Sequence, residues 1–144
     1  MEPIEYFIPG KPVPQGSKRW LPNGRMKEAN TDLRPWRATV TDYTRKAIRG
    51  TEHDFPFAGP ITVIVDFTFA RPKSHYGTGR NAGKVKPNAP VYVQTTPDVD
   101  KLARAILDGI TDSGLWIDDS QVVTMHVMKV YGEHPGASIT LWAL

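Results

Sequence analysis

The stretch TPDVDKLARAILD, residues 96–108, carries an acidic pair into an amphipathic helical pattern, and WIDDSQ, residues 116–121, adds a second acidic pair after it. From Asp98 to Asp119 the chain holds six aspartates and no glutamate, in a protein whose formal net charge is +3. Aspartate oxygens grouped in this way are ligands that a hard divalent cation prefers. We therefore predict a metal site built on this segment.

The first acidic pair lies where a helix is expected to begin. Thr96 is interpreted as the N-cap and Pro97 as the first helical residue, so the helix should begin at or just after Asp98. Residues two apart point about 200° away from each other on a helix, but they share a side on an extended segment. Asp98 and Asp100 can therefore converge only if Asp98 is still extended, and we predict that conformation.

The predicted helix has one charged side and one apolar side. Asp100, Arg104 and Asp108 follow each other at intervals of four residues and share a stripe. The apolar side consists of Leu102, Ala103, Ile106, Leu107 and Ile110, and Gly114 is expected to end the helix. If the strand that follows packs alongside the start of this helix, it brings the second aspartate pair back toward the first.

Ordinary structural roles would explain these residue types if each stood alone. Aspartate is common in the first turn of helices because it complements the helix dipole, and Asp-Asp-Ser is typical of turns. The presence of a second acidic pair at the far end of the same helix favours the metal site over this structural alternative.

Hydrophobic periodicity predicts an α+β fold for the whole chain. Strands are expected at residues 4–8, 61–70, 92–95, 121–131 and 138–144, and a first helix at residues 35–49. The last two strands are separated by a short Gly/Pro turn, which is typical of an antiparallel hairpin. Residues 1–144 are therefore expected to form a single domain, a mixed β-sheet with two main helices packed on one side and long basic loops.

The positive charge is concentrated on two arms, residues 9–27 and 71–97, each with five Lys or Arg and no acidic residue. Both arms are rich in Gly and Pro, so we expect extended or mobile loops that lie along a phosphate backbone. Residues 19–21 could form the tip of a small hairpin within the first arm. The alternative is that both arms are solvated surface loops.

Composition excludes several other classes of protein. The chain has no cysteine, which excludes disulfides and thiolate metal sites, and its four histidines show no ligand spacing. No segment approaches the ~20 apolar residues of a membrane span, and the N-terminus lacks the pattern of a signal peptide. The expectation is a soluble, cytoplasmic protein, in a bacterial cell or a phage-infected host.

The ordered acidic motifs resemble those of a known family. Three features follow each other in order: the run Pro97-Asp98-Val99-Asp100 with a basic residue four positions on, Leu107-Asp108, and the segment DDSQV at residues 118–122. Together they are similar to the signature of RusA-type Holliday junction resolvases, the endodeoxyribonuclease RusA family. The segment PGKPVPQGSKR, residues 9–19, is similar to the opening strand and basic loop of that family. The resemblance implies a homodimeric, Mg²⁺-dependent endonuclease, with Mn²⁺ as a substitute, that resolves four-way DNA junctions in recombination and repair.

Carried over position by position, the resemblance also implies roles for individual residues. The metal ligands would be Asp98, Asp100 and Asp119, with Asp118 as a fourth, and Arg104 would join the first three in catalysis. The positive charge of the two arms and of the helix start, and not the resemblance, indicates the residues expected to bind DNA, which are Lys18, Arg19, Arg80, Lys84, Lys86 and Lys101.

This chain departs from the family pattern at two positions. Lys101 stands where the family has asparagine, and Arg104 stands where it has a functional lysine. An arginine stays protonated near neutral pH, so it can stabilise charge but cannot act as a general acid or base.

Two other functions are consistent with parts of the sequence. A branched-DNA-binding module, whose acidic cluster merely caps a helix, would bind junctions without cleaving them. A nucleotide-sugar transferase would use Asp98-x-Asp100 with a metal, but residues 1–97 do not resemble the nucleotide-binding domain that it needs. We therefore expect DNA as the partner, with no nucleotide cofactor and no membrane.

Overall fold

The computed structural model describes residues 2–16, 18–24, 26–28 and 31–144, with the side chains of residues 18–20 and 26–28 outside the description. Its strands are β1 (Ile4–Pro9), β2 (Lys18–Trp20), β3 (Met26–Glu28), β4 (Ile61–Phe69), β5 (Val122–Tyr131) and β6 (Gly136–Ala143). Its two α-helices are α1 (Leu33–Arg49) and α2 (Val99–Ser113). Single 3₁₀ turns occur at Lys73–His75, Gly79–Asn81 and Asp119–Gln121.

A mixed four-stranded sheet and the two helices give the predicted α+β fold. The strand order is β1-β6-β4-β5, with β4 and β5 parallel and the other neighbours antiparallel. Strands β2 and β3 pair separately as a small antiparallel hairpin. Part of the first basic arm therefore forms the hairpin that the sequence suggested, with Trp20 in a strand and not at the tip.

The predicted hairpin of the last two strands is wrong. Strand β4 lies between β5 and β6 and pairs with both of them. The short connection between β5 and β6 passes over the end of β4, where the Gly132 amide donates to the Phe69 carbonyl at 3.0 Å. The predicted strand at residues 92–95 is also wrong, because only Tyr92 pairs with β5, through one bridge to Val130.

Alternation along β4 explains which sheet face is buried. Its odd-numbered residues from Ile61 to Phe69 are buried, and they form one core with the apolar sides of both helices. Asp66 alternates with these residues, so it lies on the opposite face of the sheet, away from the helices. On α2 the predicted apolar residues are buried, except for Leu107, which is partly buried against the core.

The two helices approach each other closely at Gly109 of α2. A Cβ atom at this position would lie 2.6 Å from Cγ1 of Val40, inside normal contact distance. The hydroxyl of Thr41 on α1 donates to the Gly109 carbonyl at 2.8 Å in the buried interface. Helix α1 thus holds one side of α2 and leaves its charged side exposed.

Candidate active site

The start of α2 presents the first aspartate pair to solvent. Asp98 is the N-cap of the helix, with extended backbone angles of φ −68° and ψ 140°, and its carbonyl accepts the Leu102 amide at 3.1 Å. The predicted extended conformation of Asp98 is confirmed, whereas the interpretation of Thr96 as the N-cap is wrong by two residues. The helix begins at Val99 because the extended ψ of Asp98 is incompatible with an earlier start.

A lysine partly neutralises this pair. Lys101, one turn into α2, places Nζ 3.7 Å from the Asp98 carboxylate, and both side chains are substantially exposed. An exposed ion pair at this distance contributes little to stability, at most about 1 kcal/mol. Lys101 therefore remains available to a phosphate group, while it lowers the net negative charge of the aspartate pair.

The basic N-terminal loop packs on the same turn of the helix. The Gln15 amide donates to the Lys101 carbonyl at 3.0 Å. The next residue, Gly16, has φ +144°, and a Cβ atom there would lie 3.1 Å from Nη1 of Arg104. The backbone angle favours glycine here, and the absence of a side chain lets the loop pass close to the guanidinium.

Arg104 is exposed between the two aspartate groups. Within the described part of the chain, its guanidinium forms no ion pair with Asp100 or with Asp108. An Arg104 with a purely structural role would bridge these two aspartates, and this bridge is not formed. The five donors of the guanidinium face the loop and the solvent, where they can bind an oxyanion.

The second aspartate group lies beside the far half of α2. Burial, and then the neighbouring charges of Asp118 and Asp108, raise the pKa of Asp119. A hydrogen bond of 2.6 Å from the Ser120 hydroxyl lowers the pKa of Asp118. Asp119 is thus close enough to Asp108 for the two charges to interact. The sequence placed Asp108 on the charged stripe of α2 but predicted no function for it.

The structure does not bring the two aspartate groups together within one chain. Asp108 lies eight positions after Asp100 on the helix, a rise of about 12 Å. Among the residues that the structure describes, no group of three or more His, Cys, Asp or Glu side chains is arranged to hold a metal ion. The predicted return of the second pair therefore gives no such group among these residues, and Asp108 is the α2 carboxylate whose charge acts on Asp119.

The donor chemistry of each group nevertheless fits Mg²⁺. This cation is commonly held by one or two carboxylates together with waters and substrate phosphates. The pair Asp98 and Asp100 supplies two exposed carboxylates, and Asp118 and Asp119 supply two more. Burial and then the charges of Asp118 and Asp108 raise the pKa of Asp119, and a bound cation would neutralise those charges.

Gln121 fixes the turn that carries the second group, a role that sequence reasoning missed. Its Oε1 accepts the amides of Ile117 at 2.8 Å and Asp118 at 3.0 Å. Its Nε2 donates to the carbonyls of Phe57 at 2.9 Å and Gly59 at 3.0 Å. The only sequence signal was its place in the motif DDSQV, where a side chain with both donors and acceptors can satisfy a tight turn.

The second basic arm is a folded lobe, not the extended or mobile loop that was predicted. Bridges join Tyr76 to Val85 and Gly77 to Ala82, and the Lys86 amide donates to the His75 carbonyl at 2.8 Å. At its base Arg71 donates to the Pro90 carbonyl at 2.7 Å and lies over the Tyr131 ring. Turn-forming Gly and Asn residues close these bridges, which explains why the arm folds back on itself.

The residues predicted to bind DNA fall into three sets. Arg80, Lys84 and Lys86 are exposed on the folded lobe, and none of them forms an ion pair with a described carboxylate. Lys101 lies at the start of α2. Lys18 and Arg19 have their backbone in β2, but their side chains lie outside the described residues.

A family model and one curated protein are similar to this chain. The family model described as "Endodeoxyribonuclease RusA" matches residues 9–142, nearly the whole chain. The chain therefore belongs to the RusA endodeoxyribonuclease family. It is also similar to "Uncharacterized protein YqaN" of Bacillus subtilis (strain 168), with 25% identity over 143 residues that cover 98% of this chain and 96% of that protein.

Membership of this family supports nuclease activity on DNA and gives no support to the nucleotide-sugar transferase alternative. Among the described residues, no helix is long and apolar enough to cross a membrane.

Proposed function

We propose that this protein is a Mg²⁺-dependent, structure-selective endonuclease that resolves Holliday junctions in DNA recombination and repair. The observation that carries the proposal is the exposed side of α2. It presents aspartates at both ends and, between them, an arginine that has no described carboxylate partner. In a chain of the RusA family, this surface is the best candidate for the catalytic centre.

The four aspartates would hold the metal, namely Asp98, Asp100, Asp119 and Asp118. A bound Mg²⁺ lowers the pKa of a coordinated water and neutralises charge on the phosphate. Arg104 is suited to bind the phosphate itself, because its planar guanidinium pairs with two oxygens at once and stays charged. Its role is therefore electrostatic, and the proton of the leaving group must come from another donor, such as water.

The basic residues provide the DNA-binding surface. Helix α2 alone would repel a phosphate backbone, whereas the lobe carrying Arg80, Lys84 and Lys86 and the hairpin carrying Lys18 and Arg19 attract it. Residues 94–97 connect the lobe to the first aspartate pair along the chain, and we propose that DNA bound on the lobe extends toward that pair.

We further propose that the active form is a homodimer. Symmetric incision of two strands at a junction needs two active sites related by a two-fold axis. Among the described residues of one chain, no three acidic side chains are arranged to hold a metal ion, and a second copy would supply the missing ligands. Mixing Asp100→Asn and Asp119→Asn subunits would restore cleavage only if one site draws on both copies.

The test is cleavage of a labelled mobile four-way junction and of a matched linear duplex, each with and without Mg²⁺. Asp98→Asn, Asp100→Asn and Asp119→Asn should abolish cleavage and leave junction binding intact or tighter, since each removes a negative charge without changing size. Asp118→Asn should have a smaller effect.

The matched control is Asp112→Asn, because Asp112 is also exposed on α2 but pairs with Arg37 of α1 at 3.1 Å. This control should cleave normally. Equal cleavage of junction and duplex would contradict the junction-selective proposal. Binding without cleavage in either Mg²⁺ or Mn²⁺ would show that the protein is a branched-DNA-binding module.

A further inference from the structure

The segment that leads into Asp98 is held by one side chain from the sheet. Lys129 lies in β5 in register with the buried Phe67 of β4, and its Nζ donates to the carbonyls of Thr95 at 2.7 Å and Pro97 at 2.8 Å. The backbone of the same residue also accepts the Val93 amide at 3.1 Å. Lys129 thus makes three hydrogen bonds to the five residues that precede Asp98.

This segment has few other attachments. Val93 is buried, but residues 94–96 are exposed and contribute nothing to the core. Within the described residues, no other side chain donates a hydrogen bond to the backbone of residues 94–97. The position of the segment therefore depends on the ammonium group of Lys129.

The dependence extends to the first aspartate pair. Pro97 directly precedes Asp98, whose backbone carbonyl accepts the Leu102 amide and so defines the first turn of α2. A shift of the Pro97 carbonyl moves the backbone of Asp98 and with it the carboxylate. Displacement of a reacting group by about 1 Å can cost on the order of 10²-fold in rate.

We infer that Lys129 is a positioning residue of the active site, which places Asp98 by holding the Thr95 and Pro97 carbonyls. This inference rests on the proposed function. Lys129 itself contacts neither DNA nor the reacting phosphate in this role, because two of the three N–H bonds of its ammonium are already used. A lysine is suited to this position because only a charged, multiple donor on a long chain reaches both carbonyls from the sheet.

The absence of cysteine from the sequence allows a direct test. Lys129→Cys introduces a single thiol, and alkylation with 2-bromoethylamine displaces bromide to give a thioether that ends in an ammonium at nearly the reach of lysine. Alkylation with iodoacetamide gives a neutral adduct as the comparison. The matched control is Lys46→Cys with the same treatments, because Lys46 lies over the Tyr43 ring on α1, away from α2.

We expect Lys129→Cys and its neutral adduct to lose about 10- to 100-fold in the cleavage rate at saturating DNA, the range found for groups that orient metal ligands. Junction binding should stay within about twofold, since Lys129 contacts no DNA. Aminoethylation should restore cleavage to within a few-fold of wild type. The Lys46→Cys series should cleave like wild type throughout.

A second readout does not depend on activity. The Leu102 amide, which donates to Asp98, should exchange its hydrogen faster in Lys129→Cys and recover after aminoethylation. Wild-type cleavage and wild-type exchange in Lys129→Cys would overturn the inference, as would a loss of cleavage that aminoethylation does not restore. If wild-type protein fails to cleave junctions, the proposed function fails, but the exchange data still test whether Lys129 holds the start of α2.

Discussion

The contact between α1 and α2 at Gly109 predicts the cost of a single added methyl group. In Gly109→Ala, the new Cβ would lie 2.6 Å from Cγ1 and 2.8 Å from Cβ of Val40, and 3.3 Å from the Arg37 carbonyl. Carbon atoms prefer separations of about 3.5–4.0 Å, so the helices must move apart by about 1 Å. The neighbouring atoms belong to a β-branched side chain and to helix backbone, which cannot yield by rotation alone.

Two destabilising effects and one stabilising effect set the change in the free energy of unfolding of Gly109→Ala. Overpacking of a core contact costs about 1–3 kcal/mol, and stretching the buried hydrogen bond from Thr41 to the Gly109 carbonyl costs about 1 kcal/mol. Alanine recovers about 1 kcal/mol through its higher helix propensity. We therefore expect a net loss of about 1–3 kcal/mol in the free energy of unfolding.

Urea denaturation measures this loss, and a double-mutant cycle with Val40→Ala tests its cause. Val40→Ala removes Cγ1, the nearest clashing atom, and keeps Cβ, so the two changes should couple by about 0.5–3 kcal/mol in the favourable direction. Gly50→Ala at the end of α1 is the control, because its added Cβ would meet only backbone oxygens at 3.6 Å. Equal or higher stability of Gly109→Ala, or additive effects with Val40→Ala, would refute the proposed contact.

Four further predictions concern the site. Arg104→Lys should keep substantial cleavage in single-turnover assays because charge survives, whereas Arg104→Ala should lose roughly 10²-fold or more; an alanine variant at wild-type rate would remove Arg104 from the mechanism. Asp108→Asn removes one of the charges that raise the pKa of Asp119. The ionised form of Asp119 then persists to lower pH, so at sub-saturating Mg²⁺ the acid limb of the pH–rate profile should shift down, and an unshifted limb would contradict the coupling. Gln121→Glu keeps the acceptor but loses both donated hydrogen bonds, so thermal unfolding should show a loss of about 2 kcal/mol, with reduced cleavage. Lys84→Gln should weaken junction binding and reduce its salt dependence by a slope of about 0.9; an unchanged slope in a salt titration would exclude a phosphate contact.

Local patterns in the sequence predicted the elements that carry the site. The strict alternation of β4 and the apolar side of α2 are properties of neighbouring residues, and both are confirmed. The extended conformation of Asp98 followed from the requirement that two aspartates two residues apart share a side. These predictions succeeded because backbone periodicity and turn preferences act over a few residues.

Long-range contacts could not be predicted in the same way. The insertion of β4 between β5 and β6 depends on pairing between residues more than 50 positions apart, such as Val63 and Met125. The bonds from Lys129 to the carbonyls of Thr95 and Pro97 span more than 30 residues. The strand of Lys129 was predicted, but no local pattern indicated the partners of its side chain. The approach of Asp119 to Asp108 depends on how the turn after α2 folds against residues 57–59, a contact that Gln121 makes.

The position of Arg104 is best understood together with that of Gly16. Arg104 lies four residues from both Asp100 and Asp108, a rise of about 6 Å in each direction, yet it forms no ion pair with either of them among the described contacts. The loop passes close to the guanidinium at Gly16, where a Cβ atom would lie 3.1 Å from Nη1 of Arg104. The same loop leads two residues later into β2, which carries Lys18 and Arg19. A guanidinium is larger than an ammonium, and the missing side chain at Gly16 leaves room for it beside the loop.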